Sequence, residues 1–149
     1  MELREPVARI LQHKGTQVHS IAPDATVYQA LETMALNDVG ALVVMEGTEL
    51  VGIVSERDYA RKVRLKDRSS KEMRVHEIMS SPAVTVTLTA TIDECMHRMT
   101  DKRCRHLPVV DKGSVVGVVS IGDLVNWTIK EQDLTIHRLE DYISGRYPG

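Results

Sequence analysis

Two serine–aspartate pairs, each at the end of an apolar run, are the residues of this sequence best suited to bind a ligand. Ser55 and Asp58 follow the run Val-Gly-Ile-Val, and Ser120 and Asp123 follow Val-Gly-Val-Val. The β-branched runs predict buried strands. Each serine is suited to cap a helix whose first turn contains the aspartate, although capping alone also explains it. A strand that leads into a helix N-terminus creates a place where an anion can bind.

The two pairs are 65 residues apart, and the sequence around them repeats in the same register. Residues 18–63 align with residues 83–128 without a gap. Identical pairs in this alignment include Ala25 and Ala90, Thr26 and Thr91, Met34 and Met99, Leu42 and Leu107, Val44 and Val109, and Gly52 and Gly117. A match of this length in one register indicates an internal duplication.

Composition and charge narrow the class of protein. Of the 149 residues 42% are hydrophobic, and the aromatic residues are four Tyr and one Trp, so the core is expected to be aliphatic. A net charge of −2 provides no overall attraction to nucleic acid or to an anionic membrane. No apolar run approaches the roughly 18 residues of a membrane span, and residues 1–6 lack the apolar segment of a signal peptide. These features predict a cytoplasmic protein without nucleic-acid or membrane partners.

Cys95 and Cys104 are the only cysteines, nine residues apart on or just after one predicted helix. A rise of about 1.5 Å per residue separates them too far for a disulfide, so both thiols are predicted to be free. Cys95 occupies the position of Ala30 in the first repeat, which favours a small core residue. For Cys104, at a helix end, a reactive thiol is the alternative.

Hydrophobic periodicity predicts the same order of elements in both halves. The first half is predicted to contain a helix over residues 6–13, a strand over 18–21, a helix that begins after Thr26, strands over 41–45 and 50–54, and a helix from residue 56. After a polar linker over residues 64–71, the second half is predicted to contain a short helix over 73–79, a strand over 83–87, a helix over 91–102, strands over 107–110 and 115–119, and a helix from residue 121. Gly40 is predicted to adopt a left-handed conformation after the first repeated helix.

These elements predict a mixed α/β (α+β) fold of two β-α-β-β-α repeats with flanking N- and C-terminal helices. Residues 1–71 would form the first repeat with its N-terminal helix and linker, 72–130 the second repeat, and 131–149 a C-terminal helical extension. An apolar stripe continues past the second repeat through Ile129, Ile136, Leu139 and Ile143. The stripe is expected to pack either within the chain or against a partner chain.

The duplicated unit, in which the last strand ends in hydrophobic-Gly-hydrophobic-hydrophobic-Ser-x-x-Asp, resembles the CBS domain. The pair resembles a Bateman module, the tandem arrangement in which CBS domains bind adenine nucleotides, and it is most similar to stand-alone CBS-pair proteins. The resemblance covers about residues 7–128. It implies two repeats related by a pseudo-twofold axis, with two equivalent clefts between them. A carboxylate at a helix N-terminus can accept two hydrogen bonds from a ribose diol, which suits such a ligand.

The resemblance also implies which residues line each cleft. One cleft would contain Ser120 and Asp123, with Arg105 and His106 beside the phosphate and Thr16, His19, Val39 and Ala41 around the base. The other would contain Ser55 and Asp58, with Ser80, Ser81, Val84 and Cys104. Arg57, beside Asp58 in the sequence, is a further candidate for the phosphate in that cleft. Because arginine can bind phosphate through paired donors, we expect the stronger site around Asp123. For His106, a buried structural histidine is the alternative.

The resemblance implies a regulatory module that senses AMP, ADP, ATP or a related adenosyl ligand, such as NAD(H) or S-adenosylmethionine, and signals to a partner protein. The resemblance also implies a homodimer, and the apolar C-terminal stripe of the sequence is expected to form its interface. The alternatives are a scaffolding pair without a physiological ligand and an enzyme with an unrecognised site. No catalytic motif supports an enzyme, and the histidines lack metal-ligand spacing.

A run of arginines follows the first serine–aspartate pair. Arg57, Arg61, Arg64 and Arg68 recur at helical spacing. The run is interpreted as a solvated helix face, or else as a patch for a polyanion or an acidic partner.

Overall fold

The computed structural model describes residues 4–143, apart from the side chains of residues 135, 138 and 141–143. The first half contains α1 (Ala8–Lys14), β1 (Ser20–Ile21), α2 (Val27–Asn37), β2 (Ala41–Glu46), β3 (Glu49–Ser55) and α3 (Glu56–Tyr59), which continues as a π-helical turn over Ala60–Arg64. The second half contains a 3-10 turn (Val75–Glu77), β4 (Val86–Thr87), α4 (Ile92–Lys102), β5 (His106–Asp111), β6 (Ser114–Ser120) and α5 (Ile121–Ile143). None of the helices within residues 4–143 combines the length and apolar character that crossing a membrane requires.

The strands form two sheets of three with the same topology. In the first, β1 pairs parallel to β2 and β2 pairs antiparallel to β3, and the second sheet repeats this with β4, β5 and β6. Leu42 lies opposite Val54 in one sheet, and Leu107 lies opposite Val119 in the other. The predicted β-α-β-β-α repeats and the mixed α+β fold are therefore confirmed.

The repeated helices α2 and α4 begin and end alike. Thr26 and Thr91 are the N-caps, and each forms a capping box with the residue three positions later. Asp38 and Arg103 follow the last helical residues with left-handed φ angles of 53° and 54°. The prediction of a left-handed Gly40 was therefore wrong, because the conformation occurs two residues earlier, where the backbone N–H bonds back to the last turn.

The segment predicted as a helix over residues 73–79 forms only the 3-10 turn Val75–Glu77. The backbone N–H of Ser80 donates to the carbonyl of Ile53, and the N–H of Ile53 donates to the carbonyl of Ser80. Pairing with β3 therefore replaces the hydrogen bonds of a further helical turn. A segment this short gains too little from helix formation alone to resist such pairing.

Each half contributes a leading segment to the core of the other half. The core of the second repeat, which includes Leu107 and Leu124, also contains three buried residues from the start of the chain. These are Val7, the N-cap of α1, and Ile10 and Leu11 within that helix. Met73, Val75 and Ile78 are buried with the core of the first repeat, which contains Met34, Leu42 and Val54. The two repeats are therefore joined by an exchange of buried apolar side chains, and burial of this kind is the main favourable contribution to folding.

Helix α5 leaves the core soon after it begins. Leu124 is fully buried, but Ile129, Ile136 and Leu139 are 49%, 51% and 58% exposed. Packing within the chain therefore does not cover this part of the predicted stripe. The Ile143 side chain lies outside the described residues.

Two equivalent glycines lie where the exchanged segments contact the sheets. A Cβ atom at Gly52 would lie 2.7 Å from the carbonyl oxygen of Ser80 and 2.9 Å from Met79 Sδ. A Cβ atom at Gly117 would lie 2.8 Å from the two Cδ atoms of Leu11. A Cβ atom at Gly52 would therefore clash with backbone, whereas one at Gly117 would clash with the flexible end of a side chain.

We therefore predict that Gly52→Ala destabilises the protein more than Gly117→Ala does. Overpacking against backbone is expected to cost about 2–3 kcal/mol, and Leu11 can change rotamer to reduce the cost at Gly117 to about 1 kcal/mol. Urea unfolding of the two variants and the wild type measures the difference. Equal losses, or a larger loss for Gly117→Ala, would contradict the prediction.

Candidate ligand-binding clefts

Each serine–aspartate pair forms a closed hydrogen-bonded cap. The N–H of Ser55 donates to Asp58 Oδ2 at 2.9 Å, and the N–H of Asp58 donates to Ser55 Oγ at 3.2 Å. The corresponding distances are 2.8 Å from Ser120 to Asp123 and 3.1 Å from Asp123 to Ser120. The predicted capping role is thus present in both repeats. It also fixes each carboxylate at the junction of strand and helix, on the wall of a cleft.

The first cleft, the Asp123 cleft, has a volume of about 320 Å³. It is lined by residues of both halves: Lys14, Gly15, Gln17, His19, Asp38, Val39, Gly40, Ala41, His106, Val118, Ser120 and Asp123. Six of the eight residues predicted for it are brought together here, namely His19, Val39, Ala41, His106, Ser120 and Asp123. Thr16 lies between two lining residues without lining the cleft, and Arg105 is absent from it.

Lys14, at the end of α1, is a cleft residue that the sequence analysis missed. Its Nζ atom donates to Asp123 Oδ2 at 2.7 Å and to the carbonyl of Val118 at 2.9 Å. The equivalent residue of the second repeat is Met79, so the duplication gives no sign of this contact. Within the described residues Asp123 Oδ1 accepts no hydrogen bond, which leaves that oxygen available to a ligand hydroxyl.

Burial and hydrogen bonding have opposite effects on Asp123. Burial favours the neutral acid, but hydrogen bonds from Lys14 and Ser120 together with the Lys14 charge outweigh it, so the pKa of Asp123 lies below its ordinary value. The carboxylate is therefore charged at neutral pH and can accept hydrogen bonds from a bound diol.

His106 lies at the boundary between the two clefts. Burial is the largest influence on its ring and lowers its pKa. The Asp123 charge raises the pKa by less, and the Lys14 charge lowers it further. The imidazole is therefore neutral near pH 7. It can donate or accept a hydrogen bond, but it supplies no fixed positive charge for a phosphate.

The second cleft, the Asp58 cleft, has a volume of about 440 Å³. Its lining residues are Gly40, Ile53, Ser55, Glu56, Arg57, Asp58, Arg61, Lys62, Ser80, Arg103, Cys104, Arg105 and His106. Of the residues predicted for it, Ser55, Arg57, Asp58, Ser80 and Cys104 are brought together. Ser81 instead donates its hydroxyl to the carbonyl of Val51 at 2.7 Å. Val84 packs against the core of the second repeat.

Arg105 lines the Asp58 cleft and not the Asp123 cleft for which it was predicted. Arg105 precedes β5 and His106 begins it. Arg105 lines the Asp58 cleft alone, whereas His106 lines both clefts. The expectation of a stronger phosphate site around Asp123 loses its main support, because that expectation depended on the Arg105 charge.

Lys62 also lines the Asp58 cleft. Its Nζ atom donates to the carbonyl of Ile78 at 2.8 Å and lies 3.4 Å from Asp58 Oδ1. Asp58 and Asp123 therefore each have one lysine partner, but the two lysines come from unrelated sequence positions.

The two cysteines have free thiols, as predicted. Cys95 is fully buried, and burial raises its pKa to about 11. Burial also raises the pKa of Cys104, which lines the Asp58 cleft. Since the thiolate is the reactive form, both residues serve better as small apolar surfaces than as nucleophiles.

The Lys14–Asp123 contact generates a pH-dependent prediction. Replacing Lys14 by Met, the residue at the equivalent position, is expected to lower the free energy of unfolding at pH 7 by about 0.5–1 kcal/mol, since the pair is partly exposed. The pKa of Asp123 is lowered in the fold, so this contribution is present above the ordinary aspartate pKa of 3.8 and is lost as the pH falls through the lowered value.

Urea unfolding at pH 7, and at the lowest pH where both proteins remain folded, measures this difference. Lys66→Met, at an exposed position outside both clefts, is the matched control. If Lys14→Met lowered the free energy of unfolding equally at both pH values, the cause would be the packing of α1 and not the ion pair with Asp123.

Comparison with known proteins agrees with the repeat structure. Residues 8–65 and 75–130 each match the family described as CBS domain. The mitochondrial CBS domain-containing protein CBSX3 of Arabidopsis thaliana is 43% identical over 129 residues, which cover 83% of this chain and 63% of the relative. The chain thus spans less than two thirds of that relative's length.

Solved structures show the same fold. A protein with CBS domains from Burkholderia ambifaria has 46% sequence identity and a TM-score of 0.81, with 85% of this chain and 96% of the other covered. A CBS domain protein from Pyrobaculum aerophilum, solved in complex with AMP, has 28% identity and a TM-score of 0.71, with 79% and 88% covered. The resemblance drawn from the sequence is confirmed, and the chain belongs to the CBS domain family as a tandem pair of CBS domains.

Proposed function

We propose that the chain is a regulatory CBS pair that binds an adenine nucleotide and transmits binding to a partner protein. The observation that carries the proposal is the presence of two clefts between the repeats, each with a capped aspartate on its wall. The relative from Pyrobaculum aerophilum in complex with AMP supports an adenine nucleotide as the ligand class. AMP is the first candidate, and ADP, ATP, NAD(H) and S-adenosylmethionine are the others.

The roles proposed for the cleft residues follow from their chemistry. Asp123 and Asp58 accept hydrogen bonds from the ribose hydroxyls, and the serines hold the carboxylates in place. In the Asp123 cleft, Val39 and Ala41 offer apolar contact to the base. Thr16, Ser81 and Val84 are left out of the proposed contact set because they do not line the clefts.

A path from the Asp123 cleft to the protein surface supports the regulatory part of the proposal. Lys14 ends α1, and the preceding His13 ring packs on Trp127 with 5.0 Å between ring centroids. Trp127 also donates from Nε1 to Glu5 Oε2 at 2.9 Å. Asp123 and Trp127 are one turn apart on α5, so a ligand that displaces Lys14 acts directly on the contact between α1 and α5.

The test is calorimetric titration with AMP, ATP, NADH and S-adenosylmethionine, together with the fluorescence of Trp127, the sole tryptophan. Asp58→Ala and Asp123→Ala are each expected to weaken binding in their own cleft by about ten- to a hundredfold, because charge-assisted hydrogen bonds to a ribose are lost. Asp111→Ala, at the exposed end of β5, is the control and should leave affinity unchanged.

Failure of all four ligands to bind at millimolar concentration would favour the scaffolding alternative. The proposal includes no catalytic step. Turnover of any of these ligands by the purified protein would contradict that part of it.

We also propose a homodimer that buries the exposed stripe of α5. Ile129, Ile136 and Leu139 are each about half exposed or more in the single chain, and an apolar helix face of this kind is stabilised by a partner. A twofold dimer would pack the stripe against its own copy.

Replacing Ile129 and Ile136 together by Glu should convert this dimer to a monomer in light scattering at micromolar concentration. The fold should persist, because both side chains are exposed in the single chain. Lys130→Glu, on another face of the same helix, is the control. A monomeric wild type would exclude the dimer, and a dimer that survives the double substitution would exclude this interface.

The cytoplasm remains the predicted location. Free thiols at Cys95 and Cys104 are consistent with a reducing compartment, although the relative from Arabidopsis thaliana is described as mitochondrial.

A further inference from the structure

Four arginines line the Asp58 cleft, two from each repeat. Arg57 lies on α3 and Arg61 on its π-helical continuation, whereas Arg103 and Arg105 lie in the connection between α4 and β5. Segments that are about 45 residues apart in sequence therefore place four arginines around one cavity of about 440 Å³.

These charges are not neutralised by partners of their own. Within the part of the chain that the structure describes, none of the four guanidinium groups forms an ion pair or a side-chain hydrogen bond. Asp58 is already engaged by Ser55 and Lys62. The like charges of Arg61 and Arg105 lower the pKa of Arg57, and the attraction of Asp58 only partly offsets them. Arg57, Arg61 and Arg105 therefore repel one another, and a bound anion would relieve that repulsion.

The repeat provides an internal comparison. The positions equivalent to Arg57 and Arg61 are Gly122 and Asn126, and those equivalent to Arg103 and Arg105 are Asp38 and Gly40. The four arginines carry a summed formal charge of +4, whereas the four equivalent residues carry a summed charge of −1. Backbone geometry is conserved at the same time, since Asp38 and Arg103 have φ angles of 53° and 54°. The two clefts share a fold but have opposite charge.

We propose that the Asp58 cleft selects nucleotides that carry two or more phosphates, and that the four arginines bind the phosphate chain. This inference rests on the proposed function, because it assigns the nucleotide class to one of the two proposed clefts. A guanidinium group binds phosphate oxygens through paired donors, so four such groups can engage several phosphates at once. A monophosphate would leave part of the positive charge without a partner.

The Asp123 cleft lacks this selectivity for the same reason. Its one lysine, Lys14, is paired with Asp123, its His106 is neutral near pH 7, and Asp38 repels a phosphate chain. Its smaller volume of about 320 Å³ also suits a ligand with fewer phosphates.

Two variants test the proposal by giving the Asp58 cleft the residues of its counterpart. One combines Arg103→Asp with Arg105→Gly, and the aspartate suits the left-handed position because Asp38 adopts it in the first repeat. The other combines Arg57→Gly with Arg61→Asn. The control combines Arg64→Asp with Arg68→Gly, which removes the same charge as the first variant at exposed positions outside both clefts.

Binding of ATP, ADP, AMP and tripolyphosphate is measured by calorimetry in EDTA at one fixed salt concentration. The wild type should bind ATP more tightly than AMP. In each cleft variant the ratio of ATP affinity to AMP affinity should fall at least tenfold, whereas the control should stay within about twofold of the wild type. Thermal unfolding identifies any variant that fails to fold, and the other variant, on the opposite repeat, then decides the result.

The outcomes separate this inference from the proposed function. Unchanged ATP affinity in the folded variants would overturn the arginine site and leave nucleotide binding intact. Arginine-dependent binding of tripolyphosphate without binding of any nucleotide would support the phosphate-chain site and overturn the nucleotide proposal. A wild type that binds neither tripolyphosphate nor any nucleotide would overturn both.

Discussion

The exchange of leading segments between the two repeats is the constraint on which the rest of the structure depends. Leu11 and its neighbours complete the second core, and Ile78 and its neighbours complete the first. Each three-stranded sheet is too small to form a stable core alone, since small domains bury a limited fraction of their surface. Because each segment continues directly into the cleft wall, through Lys14 in one case and Ser80 in the other, core packing also determines where cleft residues lie.

This arrangement lets the core and the clefts diverge independently. Core positions such as Leu42 and Leu107 are identical in the two repeats and lie opposite identically placed valines. The cleft positions differ instead, since Lys14 corresponds to Met79 and Asp38 to Arg103. Asp38 and Arg103 are both exposed, so this difference changes charge without disturbing buried packing, and a duplicated fold can hold two chemically different sites. Of the arginine run, Arg57 and Arg61 line the Asp58 cleft, whereas Arg64 and Arg68 do not.

Local signals in the sequence were sufficient for most of the fold. These signals are the threonine caps, the alternating strands and the serine–aspartate pairs, each of which depends on residues within a few positions of one another. Because the sequence repeats after 65 residues, each signal occurs twice. Two failures were local, namely the left-handed Gly40 and the helix over residues 73–79. The failures at the clefts were long-range or directional. The sequence does not reveal that Lys14 reaches Asp123 across 109 positions, that α1 packs on the second repeat, or that Arg105 faces the opposite cleft from the one predicted. Such features depend on tertiary packing and on strand orientation, which local patterns do not encode.

Coupling between ligand and partner requires that a ligand bind two arrangements of the protein with different affinity. The Lys14–Asp123 pair provides a physical basis for such a difference, because Asp123 Oδ2 is already occupied by Lys14 and Ser120. Under the proposed function, a ribose that took both carboxylate oxygens would compete with the ammonium group, whereas one that used Oδ1 alone would leave Lys14 paired. The first mode would act on the His13–Trp127 contact between α1 and α5. The exposed apolar stripe lies on α5 as well. Whether the ligand uses Asp123 Oδ2 would therefore determine whether its binding changes the position of the surface that a second chain could contact.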